Sequence, residues 1–147
     1  VCKYMVRVEE HLVAYGHPHV TATHRTTFEI TREEELTPAG SCIIAIGSDK
    51  GAADLNSRFC TVLRLPGASL ITTLTCGKYS ITVRSKGDPS LELSHPTDLV
   101  WRRSVFTCNR TIGVCADHTA QDFSREMVSL LREGAQLEVL LVATCGD

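Results

Sequence analysis

The sequence lacks any apolar run of the ~18 residues or more that mark a membrane-spanning helix, and its first residues lack the order of a secretory signal. It also lacks a charge excess. Lys+Arg number 15 and Asp+Glu 17, for a formal net charge of −2, so no basic surplus can grip a nucleic-acid backbone by charge alone. No Cys-x-x-Cys pair occurs, which argues against a zinc ribbon or a thioredoxin-type redox site. No Gly-x-Ser-x-Gly elbow is present. The glycine-bearing stretches 37–40 and 47–51 lack the Gly-Lys-Ser/Thr that lets a P-loop hold phosphate. Together these absences predict a cytoplasmic protein with no membrane segment.

What is present fits a folded chain. The 147 residues are 43% apolar and 22% charged, which excludes a disordered or fibrous protein. That length suits a single domain, 1–147. There are seven cysteines, at 2, 42, 60, 76, 108, 115 and 145. Most have apolar neighbours, as in Cys42-Ile43-Ile44, and are expected to be buried thiols in a reducing compartment.

The organising feature is an internal repeat, with halves at roughly 1–76 and 77–147. Gly16-His17-Pro18 recurs as Gly87-Asp88-Pro89, and His24-Arg25-Thr26 as His95-Pro96-Thr97. Ile43-Ile44-Ala45-Ile46 recurs as Thr111-Ile112-Gly113-Val114, the segment 49–55 as 117–123, and Gly67-Ala68-Ser69-Leu70 as Gly134-Ala135-Gln136-Leu137. The first copy carries about four extra residues, and Glu33-Glu34-Glu35 falls where most of them must lie, as an exposed loop.

Local pattern gives each copy the same elements. Strands are predicted over 6–13 and 79–83, 26–31 and 97–103, and 42–46 and 111–115, from alternation and β-branched or aromatic content. A helix follows in each, with Asn56 or Ser124 as N-cap and Leu55 or Phe123 as staple, ending near Arg64 or Arg132 before Gly67 or Gly134. Closing strands are predicted over 70–76 and 137–144. A half of this size buries too little apolar surface to stand alone. The expected fold is therefore α+β and strand-rich: strand-strand-strand-helix-strand twice, joined about a pseudo-twofold axis into one sheet system or barrel with two short helices.

Several of these motifs together resemble a mainly archaeal family known as domain of unknown function 371: Gly16-His17-Pro18, the run 24–31, Leu36-Thr37-Pro38-Ala39-Gly40-Ser41-Cys42-Ile43-Ile44, Ser94-His95-Pro96-Thr97-Asp98, and the two Asp-plus-Ala segments. The resemblance covers nearly the whole chain and implies a small cytosolic protein without supplying an activity. Ser41 stands where the family pattern has an acid.

The most suggestive chemistry is the repeated His-x-Thr. On a strand, residues two apart share a face, so His24 would lie beside Thr26 and His95 beside Thr97. Two imidazoles in one cleft could act as general base and general acid while the hydroxyls of Thr26 and Thr97 hold a phosphate. This pattern is similar to the two-histidine phosphoesterases, which are also duplicated and act on cyclic phosphates or oligonucleotide ends without a metal. Their hydrophobic flanks are missing here, and the bland alternative is that each His bonds its own turn. Asp49 and Asp117 recur before the helical turn and would sit beside a ligand, with N-capping as their plainer role, and Lys50, whose counterpart is His118, could meet a phosphate. His17 and His19, joined by His24 and by Asp49 or Glu29, could hold a metal, although Pro18 signals a turn. Arg102-Arg103 with Trp101 could stack on a nucleotide, though a Trp on an alternating strand is more often core.

The expected function is binding of a phosphorylated or nucleotide-like small ligand between the halves, with metal-independent phosphoester hydrolysis as its catalytic form and no cofactor required. The alternatives are a non-catalytic RNA-binding or protein-interaction module, in which a free strand could pair as a homodimer, and a metal-dependent hydrolase built on His17, His19 and His24.

Overall fold

The computed structural model describes residues 5–146. Strands β1 (Val6–Tyr15), β2 (Thr27–Thr31) and β3 (Ile43–Ala45) come first, then helix α1 (Ser57–Leu63) and strand β4 (Ser69–Cys76). Strands β5 (Tyr79–Lys86), β6 (Asp98–Arg102) and β7 (Thr111–Gly113), helix α2 (Arg125–Arg132) and strand β8 (Gln136–Cys145) follow in the same order. A single 3-10 turn precedes each helix, at Ala52–Asp54 and Ala120–Asp122.

The strands form two open four-stranded sheets, ordered β1-β8-β4-β5 and β3-β2-β6-β7. Exchanging β1–β4 with β5–β8 leaves both orders unchanged. The first sheet is antiparallel throughout and alternates cleanly. On β4, Leu70, Thr72, Leu74 and Cys76 are buried while their neighbours are half-exposed, the period-two signature of a sheet covered on one face. The second sheet turns Phe28 and Ile30 of β2, and Leu99 and Trp101 of β6, toward the first; all four are fully buried. Phe28 stacks on Trp101 with ring centroids 4.4 Å apart, and Phe123 meets Phe28 edge-on. The indole N–H of Trp101 donates to Thr72 Oγ1 at 2.8 Å, so the polar atom of the largest core side chain is satisfied across the layers. Buried side chains of both halves belong to one continuous apolar cluster.

Among the described residues the two sheets stay open, which corrects the barrel form of the expected sheet system. The two sheets meet at their corners by one bridge each: Tyr15 and Ile46 exchange N–H···O bonds of 2.8 and 2.7 Å, and Lys86 and Val114 exchange bonds of 2.8 and 2.9 Å. Strands β3 and β7 are three residues long, so pairing stops after one bridge.

The halves grip each other reciprocally. Arg64, at the end of α1, donates through Nε to Leu91 O in the turn after β5, and Arg132 of α2 donates through Nη1 to Val20 O in the turn after β1. The two helices thus sit over the Gly-x-Pro turns of the opposite half. A Cβ on Gly16 would stand 1.7 Å from Leu131 O, and one on Gly87 2.0 Å from Leu63 O, so glycine is demanded there by close backbone approach. The 3-10 turns cross over in the same way: Ala53 N–H donates to His95 O, and Gln121 N–H to His24 O.

The helix ends follow the sequence. Asn56 Oδ1 accepts from Arg58 N and Phe59 N, and Ser124 Oγ accepts from Met127 N. Glycines at 67 and 134 adopt φ of +80° and +87° just beyond the helices. The acidic run 33–35 is exposed. Cys42, Cys60, Cys76, Cys108 and Cys115 are free thiols, but only Cys60 and Cys76 are buried and Cys115 is exposed. Cys145 is disulfide-bonded; Cys2 lies outside the described residues. No described helix is long and apolar enough to cross a membrane.

These contacts predict that Gly16→Ala and Gly87→Ala each destabilise the protein by about 3 kcal/mol or more, because a backbone carbonyl must move. Gly67→Ala, with nothing within 4 Å of the new methyl, should cost only the left-handed backbone, about 1 kcal/mol. Denaturant unfolding of the three variants checks the ranking.

Candidate functional site

Strands β2 and β6 pair antiparallel in the middle of the second sheet, with Thr27 opposite Arg102, Glu29 opposite Val100 and Thr31 opposite Asp98. Alternation that sends Phe28, Ile30, Leu99 and Trp101 inward sends Thr27, Glu29, Thr31, Asp98 and Arg102 to the other face. That face is not open to water. Loops 32–42 and 103–110 connect parallel neighbours and bring Cys42, Cys108 and Arg110 against it. Glu29 is 5% exposed and Thr31 3%.

Glu29 and Asp98 are diagonal neighbours across the strand pair, close enough for their carboxyl groups to share a hydrogen bond. Their environments differ. Asp98 Oδ1 accepts from Thr31 Oγ1 at 2.8 Å and Thr97 Oγ1 at 2.9 Å. Its Oδ2 accepts from Arg110 Nη1 at 3.2 Å and lies 3.9 Å from His95 Nε2. Burial alone would raise the Asp98 pKa, but the hydroxyls of Thr31 and Thr97 bring it below the ordinary value of 3.8. Glu29 has fewer donors: Arg110 Nη1 stands 3.8 Å from Oε1, and the Cys42 thiol donates to the same oxygen at 3.8 Å. Burial, then the charge of Asp98, push Glu29 from 4.5 up to about 7. The result is an ionised acid beside one that holds its proton near neutrality, with one guanidinium touching both. Environments that drive two carboxyl groups apart in this way suit acid–base chemistry.

The histidines are not brought together. The β2–β6 register puts His24 and His95 beyond opposite ends of the strand pair, so their rings do not share a cleft. Each closes its own turn. His24 Nδ1 accepts from the N–H groups of Thr26 and Thr27, both at 3.3 Å, and His95 Nδ1 accepts from those of Thr97 and Asp98, at 3.2 and 2.9 Å. Backbone N–H groups can only donate, so Nδ1 is the acceptor nitrogen in both rings and the proton of the neutral imidazole sits on Nε2. Thr97 reaches the acid pair through its bond to Asp98; Thr26 does not.

The other expected residues hold the fold. Asp49 Oδ1 accepts from Val13 N at 3.0 Å while Asp49 N donates to Val13 O at 3.1 Å, and Asp117 does the same to Arg84 at 2.9 and 3.0 Å. Neither Asp is a helix N-cap: through Oδ1 and its own N–H each pairs with an edge strand as another strand would. Lys50 Nζ bonds Glu10 Oε1 and His11 O, both at 2.7 Å. His17 and His19 have rings 5.1 Å apart, but His17 Nδ1 accepts from His19 N and is unavailable to a cation. Among the described residues no group of three His, Cys, Asp or Glu is arranged to hold a metal. Trp101 is core, and the exposed aromatic beside Arg102 is Phe106, whose ring lies 5.0 Å from the guanidinium. Clefts of about 520 Å³ by Arg32–Glu35 and about 390 Å³ by Tyr79 and Arg125 do not include the acid pair.

Sequence pattern pointed to Glu29 only as a metal-ligand candidate and passed over Asp98, Arg110 and Cys108. The signal for Glu29 was an acid inside the strand Thr-Phe-Glu-Ile-Thr. Its partner depends on strand register, which the sequence does not print.

A family model described as a domain of unknown function, DUF371, matches residues 12–144. An uncharacterized protein of the archaeon Methanocaldococcus jannaschii is 42% identical over 124 residues, covering 84% of this chain and 91% of that one.

Two predictions follow from the geometry. Glu29 binds its proton more tightly folded than unfolded, so its contribution to stability is complete below about 4.5 and is lost as pH rises through about 7. The loss is on the order of 3 kcal/mol; unfolding curves across that window should show the decline in wild type and not in Glu29→Gln. His95→Ala should lower stability by about 1 kcal/mol through loss of the turn acceptor, and His95→Asn, which can accept the same amides, should recover most of it; thermal melts compare them.

Proposed function

Since the chain belongs to the DUF371 family, whose description carries no activity, we propose from the geometry that it binds a small phosphorylated or nucleotide-like anion over the β2–β6 seam and transfers a proton to it from Glu29. The observation that carries this reading is the buried Glu29–Asp98 pair with the half-exposed Arg110 in contact with both acids. A buried acid poised near neutrality is suited to protonating a leaving oxygen. Arg110 supplies the cation that a phosphate requires at the outward end of the pair, and a guanidinium matches phosphate oxygens in a planar fork. Asp98, fixed by Thr31, Thr97 and Arg110, keeps its charge and so keeps Glu29 protonated.

In this reading phosphoester hydrolysis remains the reaction class, but the proton donor is Glu29 and not a pair of histidines. His95 is a positioning residue for Asp98, and His24 is its structural counterpart. The seam lies between halves that we attribute to an internal duplication, roughly 1–76 and 77–147, within one domain. The repeated motifs and the matching sheet orders support that origin. The duplicated positions have diverged at the seam: Glu29 faces Val100 across the central pair, so a single acid pair is formed.

Titration with inorganic phosphate and with a nucleoside monophosphate, followed by amide NMR, tests the site. Shifts are expected at Thr31, Asp98 and Arg110, and Arg110→Gln should weaken binding tenfold or more. Shifts confined to another surface, or unchanged affinity in Arg110→Gln, would refute the reading. Turnover of a chromogenic phosphoester should fall as pH rises through about 7, where Glu29 loses its proton, and should be lost in Glu29→Gln.

A further inference from the structure

The seam holds one more reactive group that proton transfer from Glu29 does not use. Cys108 lies half-exposed on the loop after β6, two positions before Arg110. Its Sγ accepts from Arg102 Nη2 at 3.4 Å and lies 3.5 Å from Thr111 Oγ1. That hydroxyl oxygen already accepts from Arg102 Nε at 2.9 Å and from the Cys108 N–H at 3.2 Å. With both lone pairs engaged, the Thr111 O–H is left to donate to the sulfur. Thr111 is fully buried, so this network is fixed to the sheet. Arg110, which touches Asp98 and Glu29, follows two positions later on the same loop. Sulfur beside the Arg102 guanidinium and a hydroxyl donor favours the thiolate. The direction agrees: burial opposes ionisation, but the Thr111 hydroxyl, the backbone at Arg110 and the Arg102 charge bring Cys108 from 9.0 down to about 7.

A second, independent feature stands beside it. Phe106 is 59% exposed and lies over the Arg102 guanidinium, and Val105 is 72% exposed. Apolar surface of this size next to two cations and a thiol makes a pad on which a ring can lie while its phosphate meets the arginines.

We propose that Cys108 is the nucleophile of the seam site and that its substrate is a phosphate monoester of an aromatic or nucleoside alcohol, held by Arg102 and Arg110 with its ring against Phe106. The inference rests on the reading above for phosphate binding by Arg110 and for protonation of the leaving group. The Cys108 thiolate attacks phosphorus, forming an S–P bond as the ester P–O bond breaks. The departing alkoxide takes the proton of Glu29. Water then adds to phosphorus and gives its proton to the Glu29 carboxylate, the S–P bond breaks, and inorganic phosphate leaves with thiolate and acid restored.

Alkylation with iodoacetamide, mapped by peptide mass spectrometry on the full chain, is the test. At pH 7 Cys108 should react about three- to fivefold faster than an ordinary exposed thiol, the gain in thiolate being partly offset by lower intrinsic nucleophilicity. Its rate profile should have a midpoint of about 7. Arg102→Gln should slow Cys108 and move that midpoint upward, and inorganic phosphate should protect Cys108 but not the exposed Cys115. A wild-type Cys108 that reacts no faster than Cys115 overturns the proposal without needing any variant to fold. So does a fast Cys108 that phosphate leaves unprotected. If Cys108 fails these tests while Arg110 still binds phosphate and Glu29 keeps its pH dependence, the nucleophile falls and the acid–base site stands. A fast Cys108 in a chain that binds no phosphate overturns both readings.

Discussion

The antiparallel pairing of β2 with β6 is the contact on which the rest depends. It joins one strand from each half at the centre of the second sheet. Its inner face supplies the Phe28–Trp101 stack at the middle of the core, tied to the first sheet through Thr72. Its outer face supplies Glu29 and Asp98. One register therefore fixes both the apolar centre and the acid pair. A slip of β2 by one residue would send Phe28 to the polar face and Glu29 into the core.

That pairing is reinforced by exchange between the halves. Each helix lies over the Gly-x-Pro turn of the other half, and each 3-10 turn donates to the carbonyl of the other half's His turn. Apolar burial would be too small for either half alone, and the exchanged contacts leave each half with close-packed backbone only in the presence of the other. Small residues at 16 and 87 follow from this, as does the use of Asp49 and Asp117 as substitutes for a neighbouring strand at the edges of β1 and β5. The paired histidines likewise close matching turns, each through its own Nδ1.

The acid pair is found where the repeat breaks. Asp98 in the second half faces Thr31, and Val100 faces Glu29, so the two halves contribute unlike side chains to the same face. Arg110 occupies the loop position matching Cys42, and the pair meets over Glu29. A face with one proton-holding acid, one ionised acid and one guanidinium is chemically asymmetric although the backbone around it is nearly symmetric. Burial under the two crossover loops keeps the acids coupled, because little water lies between them to screen their charges.

The sequence by itself determined the order of elements, the helix caps and the glycine that stops α2, since these depend on residues a few positions apart: Asn56 and Ser124 accept from the next turn, and Gly134, directly after the C-cap Glu133, takes the left-handed backbone conformation that ends a helix. It also determined which residues of β2 and β6 oppose each other in face, because side-chain direction alternates along a strand. Only the tertiary structure decided that Glu29 meets Asp98, that Cys108 meets Arg102 and Thr111, and that His24 and His95 stay apart. Those outcomes depend on strand register and on the path of loops 32–42 and 103–110, which are set by burial summed over the whole core and leave no local mark in the sequence.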